Sequence, residues 1–106
     1  MTMISASILN ADLAHLADVA DTAASAGADF IHYDVMYGIF VDNISFGLPV
    51  LQCLKKFAKL PIDAHLMIQE PHRFVKRFAE AGAQMLSFHI ESASDTAETI
   101  YLIHEN

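Results

Sequence analysis

A chain of 106 residues has room for one modest core, which should bury roughly two thirds of the surface its unfolded form exposes. With 54% hydrophobic and 18% charged residues, it is neither disordered nor of low complexity, and the apolar excess points to surface reserved for a partner or for further chain. A net charge of −7 argues against nucleic acid and anionic membrane as partners, because phosphate recognition rests on Lys and Arg.

Two hydrophobic periods alternate along the chain. Residues 3–9, MISASIL, form a short β-compatible run. Leu13, Leu16, Ala20 and Ala23 then recur at helical spacing up to Gly27, a good residue to end a helix. The run DFIHYDVM (29–36) predicts a second strand, and the loop YGIFVDNISFG leads to a helix with Pro49 in its first turn and Val50, Leu51, Leu54 and Phe57 inward. Cys53 lies in the same pattern and is expected to be a buried, inert thiol. PIDAHLMI (61–68) predicts the third strand, and a helix opening at Pro71 carries Phe74, Val75 and Phe78 as far as Gly82. MLSFHIE (85–91) predicts the fourth strand, after which Ser92 or Ser94 is expected to cap a helix carrying Ala97, Ile100 and Ile103.

Four strand–helix units in succession, with short and continuously apolar strands, predict an α/β architecture with a parallel sheet. The segments AGADFIH and AGAQMLSFH repeat weakly: a helix stop, an apolar run, then a histidine. The expected domain spans 1–106, a (βα)4 half of an eightfold (β/α)8 barrel. A complete barrel needs about 250 residues, so two sheet edges should remain open. A lone cysteine excludes an internal disulfide and fits a reducing compartment. No signal-like N-terminus and no long apolar run is present, so a cytoplasmic protein is expected.

Side chains two apart on a strand share a face. His32 and Asp34 therefore project together near the C-terminal end of the second strand, where barrel enzymes keep their chemistry. On the third strand Asp63, His65 and Met67 share a face. Adjacent strands lie about 4.8 Å apart, so His32, Asp34 and His65 can converge into a mixed nitrogen and oxygen set for Zn²⁺, Fe²⁺, Mn²⁺ or Co²⁺. A single inward histidine is more often a core residue than a ligand; the convergence of three such groups is what raises the metal reading. His89 has inward parity and reads as a supporting or core group. Met36 and Met67 follow the candidate ligands on the same faces, with core filling as their default role and a substrate floor as the other. Ser7 faces the barrel mouth, while His15, His72 and His104 read as surface residues on helices.

The segments SASILNADLAHL, GADFIHYDVMYGIFVDNISFG, PIDAHLMIQEP and AGAQMLSFHIE, taken together and in this order, resemble the N-terminal half of ribulose-phosphate 3-epimerases. The resemblance implies a TIM barrel and the interconversion of ribulose 5-phosphate and xylulose 5-phosphate by proton transfer at C3; the allulose-6-phosphate 3-epimerases share much of the pattern. It also implies one divalent metal ion on His32, Asp34 and His65, with Asp34 as a proton-transferring carboxylate. Ser7, His65, Met36 and Met67 correspond to residues that meet the ketose phosphate. The family's second aspartate and its phosphate-binding loops have no counterpart in these 106 residues, so the chain alone is expected to be inactive. Tyr37, Asp42 and Ala6 depart from the family's usual M-D-G, F-V-P-N and S-P-S. Beside this reading stand a non-catalytic metal-binding or interaction protein, and self-association through the open barrel edges.

Overall fold

The computed structural model describes residues 1–106. Four strands, β1 (Ser5–Ser7), β2 (Phe30–Met36), β3 (Ile62–Met67) and β4 (Ala83–Phe88), form one parallel sheet in the order β1-β2-β3-β4. Helices α1 (Leu16–Ser25), α2 (Leu48–Phe57) and α3 (Val75–Ala81) connect successive strands, and α4 (Thr96–Glu105) follows β4. This is the four-stranded half of a (β/α)8 barrel that the sequence predicts. Its outer edges, on β1 and β4, have no strand partner.

Alternation along each strand divides the sheet into two faces. Ile31, Tyr33 and Val35 of β2 and Ile62, Ala64 and Leu66 of β3 point to the helices and are buried there with Leu51, Leu54 and Phe78. Burying each large apolar side chain contributes about 1.5–3 kcal/mol, so this layer holds the fold together. The opposite face carries the polar members of the strands and has no helix over it. Tyr33 is the exception in the apolar layer: its ring stacks on Phe46 at 4.3 Å, and its hydroxyl donates to the Gly47 carbonyl at 2.7 Å. Burial pushes this hydroxyl well above the ordinary tyrosine range, so it stays protonated.

Local signals set the helix ends. Asp12 accepts a hydrogen bond from the Ala14 amide and opens a single 3₁₀ turn, Leu13–His15, ahead of α1. A second 3₁₀ turn, Pro71–Arg73, precedes α3, which ends at Gly82 with φ 120°, a conformation that L side chains rarely adopt. The cap of α4 corrects the expectation from sequence. Asp95 accepts from the Glu98 amide at 2.8 Å, whereas the buried Ser94 hydroxyl accepts from the His72 amide and pairs with the ring of His72, which is half-buried as a result.

Several residues of the helical apolar patterns are exposed, for geometric reasons. Cys53 is exposed, and Phe57 is 60% exposed. At about 100° per residue they lie roughly 200° and 240° around α2 from Leu51, on the side away from the sheet. Ile100 is also exposed, beside the open β4 edge, while Thr99 takes the buried position on α4 and donates its hydroxyl to the Asp95 carbonyl. Leu13 is exposed because α1 proper begins only at Leu16.

The predicted strand 85–91 begins earlier, at Ala83, and ends at Phe88. Ala83 pairs with Ile62, but Met85 pairs with Asp63, so Gln84 is an extra residue, a β-bulge. Its side-chain carbonyl accepts from the Ile62 amide at 2.9 Å and repairs the interrupted ladder. No helix is long and apolar enough to cross a membrane.

Candidate metal centre

Register brings the polar residues together. His32 lies opposite Asp63, and Asp34 lies opposite His65, across the central β2–β3 pair. All four point to the uncovered face, and Ser7 on β1 lies opposite His32. Asp34 is at the focus. Its Oδ1 is 3.0 Å from His32 Nε2 and 3.1 Å from His65 Nδ1, while Ser7 donates to its Oδ2 at 3.4 Å.

These distances suit one cation. Two ligands each about 2.1 Å from an ion, at angles between octahedral and tetrahedral, lie about 3.0–3.4 Å apart. One donor atom from each of His32, Asp34 and His65 falls within 4.8 Å of the others. His32 Nδ1 is 2.8 Å from Asp63 Oδ2, so this nitrogen donates and the other, Nε2, is the one aimed at Asp34 and available to a cation. The donor set fits a divalent ion, and nothing in it separates Zn²⁺, Fe²⁺, Mn²⁺ and Co²⁺.

Asp63 is the residue that sequence reasoning underused. It orients His32 and accepts from the Ser5 hydroxyl at 3.0 Å, holding β1, β2 and β3 together on the polar face. The signal for it was present: Asp63 has the same parity as His65, two residues away. His89, just past the end of β4, places Nε2 2.7 Å from His65 Nε2. His15 and His104 are exposed and apart from the cluster. Met36 and Met67 lie opposite each other in register, immediately beyond Asp34 and His65 on the same strands, with Met67 buried.

The loop after β2 is tied to the site from below. Ser45 donates to the Asp34 carbonyl at 2.6 Å and accepts from the Met36 amide at 2.9 Å. Tyr37, one of the departures from the family pattern, accepts from the Gln69 amide at 2.9 Å and links this loop to the end of β3. An apolar cavity of about 260 Å³ bordered by Val35, Phe46 and Phe74 lies on the helix side of the sheet, away from the histidines.

The chain is 44% identical over 105 residues to ribulose-phosphate 3-epimerase of Bacillus subtilis, covering 99% of this chain and 48% of that protein. Against the Aquifex aeolicus enzyme of the same name, identity is 43%, with 99% of this chain and 47% of the relative covered. The cytoplasmic isoform of Oryza sativa is 45% identical over 92 residues, covering 87% and 40%. The chain thus spans about half the length of the curated relatives it matches. The model of the ribulose-phosphate 3-epimerase family matches residues 3–106, and with these identities the chain belongs to that family of isomerases.

Proposed function

We propose that this chain is the metal-binding half of a ribulose-phosphate 3-epimerase, the part that would hold one divalent ion and one of two proton-transferring groups. The observation that carries the reading is Asp34 Oδ1, about 3 Å from a nitrogen of each of two histidines at the C-terminal ends of adjacent parallel strands. His32, Asp34 and His65 would hold the ion, which supplies positive charge where a substrate oxygen becomes negative as the carbon beside a ketone loses its proton. Asp34 would take that proton on one face of the carbon. Ser7 and His65 would orient the ketose phosphate, with Met36 and Met67 as an apolar floor.

Inversion needs a second base on the opposite face of the same carbon. On the uncovered face the remaining carboxylate near the cluster, Asp63, is committed to His32 and Ser5 and lies on the same sheet as Asp34. The 106 residues alone should therefore bind metal without epimerising substrate. Incubation with ribulose 5-phosphate and Zn²⁺, Mn²⁺, Fe²⁺ or Co²⁺, followed by quantification of xylulose 5-phosphate, tests this. Turnover abolished by Asp34→Asn would refute the inactive half, and absence of metal binding would refute the site.

A second reading, self-association, is favoured by the unpaired edges of β1 and β4, flanked by the exposed Met3, Ile4, Met85 and Ile90. Two copies pairing β1 with β4 would satisfy both edges. Light scattering decides it: a folded monomer at high concentration excludes the pairing.

A further inference from the structure

The apolar cavity of about 260 Å³ lies where the end of β2 and the loop after it meet the starts of α2 and α3. Val35, Ile68 and Phe78 wall it on the core side, and Ile44, 76% exposed, stands at its rim. The polar atoms around it are already engaged. The Gly47 carbonyl accepts from the Tyr33 hydroxyl and the Leu51 amide, and the Tyr37 oxygen accepts from the Gln69 amide. Water would find few partners there. A dry apolar cavity of about 150 Å³ is enough to hold benzene, so on that scale this one takes a body of about ten carbons.

A positive charge stands beside this cavity. All six Lys and Arg residues of a chain with net charge −7 fall between residues 55 and 77. Lys59, Arg73 and Lys76 meet Asp21, Glu70 and Glu80 at 3.4, 3.1 and 3.8 Å, whereas Arg77 has no carboxylate partner. Its guanidinium lies 5.8 Å from the centre of the Phe74 ring, a cation–π distance. Phe74 and Leu48 are walls shared by the cavity and by a neighbouring cleft between α2 and α3, which Gln52 and Arg77 also line. Glu80 borders that cleft too, with Lys76 against its charge. We propose that cavity and cleft together form a binding site for a small amphiphilic monocarboxylate, its apolar body in the cavity and its carboxylate on Arg77 and Gln52. Charge complementarity selects the anion: the unpaired guanidinium is held at the edge of an apolar space that a hydrocarbon chain fills. The histidines lie on the other face of the sheet, so this site does not depend on the metal reading.

The test titrates the full 106-residue chain, ¹³C-labelled at its methyl groups, with hexanoate, octanoate and decanoate. Saturable shifts should centre on the methyls of Val35, Ile44, Leu48 and Ile68, and affinity should rise about two- to fourfold with each added methylene. Arg77 is exposed, so Arg77→Gln should leave the fold intact. It should weaken octanoate about two- to fivefold and leave octanol, which lacks the charge, unchanged. Ile44→Ser, at the exposed rim, should weaken both ligands. Octanoate and octanol responding equally to Arg77→Gln would overturn the proposal, as would shifts centred on the open edges of β1 and β4. So would the absence of any saturable shift up to about 10 mM octanoate, near the weakest affinity expected for about ten well-placed heavy atoms. Shifts of the same methyls that follow protein concentration without ligand would give the cavity to a second copy of the chain instead.

Discussion

The two faces of the sheet are built from the same strands, one residue apart, and do opposite work. Toward the helices, Ile31, Tyr33, Ile62, Ala64 and Leu66 form a dry layer with almost no solvent access. Toward the open side, Ser5, His32, Asp34, Asp63 and His65 form a hydrogen-bonded polar layer. The apolar layer can hold the strands in register without the polar one. The polar layer cannot assemble without that register, because its contacts between strands join residues 27 to 58 positions apart in the chain.

The comparison breaks most visibly at Phe78, which closes the apolar layer from α3. Phe78→Ala should cost about 3–5 kcal/mol in chemical denaturation, and metal binding should disappear with the fold. On the other face, Asp34→Asn should leave a folded chain by circular dichroism while metal affinity falls by more than about 100-fold, beyond the loss expected for a supporting partner. Asp63→Ala should lower affinity about 10- to 100-fold, because His32 loses the acceptor that fixes its Nδ1 proton. An unchanged affinity in a folded variant would show that His32 needs no such support.

The smallest effect belongs to Tyr33→Phe, at about 1 kcal/mol, since the Gly47 carbonyl keeps the Leu51 amide as a donor. This substitution also has a pH signature. Burial raises the Tyr33 pKa above its unfolded value of 10.0, so the folded state favours the protonated hydroxyl. That contribution is fully present below the unfolded pKa and is lost as pH rises beyond it toward the folded value. Denaturant midpoints of the wild type should therefore fall more steeply than those of Tyr33→Phe above about pH 10, with no difference in metal affinity at neutral pH.

Much of this was legible in the sequence because it is local. Parity alone puts His32 with Asp34 and Asp63 with His65, and short apolar strands between helices predict the parallel sheet. What was not legible depends on rotation or on distant partners. Cys53 and Phe57 read as inward because an apolar pattern was extended around too much of α2. Ser94 looked like a cap until His72 claimed its hydroxyl, leaving Asp95 to serve. The pairing of His89 with His65 requires the position of β4 against β3, which no window of sequence contains.

That position depends on Gln84. Counted forward from Ala83, strict alternation would turn Met85 and Ser87 toward the helices; the extra residue resets the count, so they share a face with Asp63 and His65. Chain length therefore matters unequally along six residues. Removing Gln84 itself should leave a regular strand with every later side chain still facing its present way. Removing Leu86 instead would send Ser87 into the oily layer and Phe88 among the histidines, a single-codon loss that exchanges the inside and outside of the strand's end.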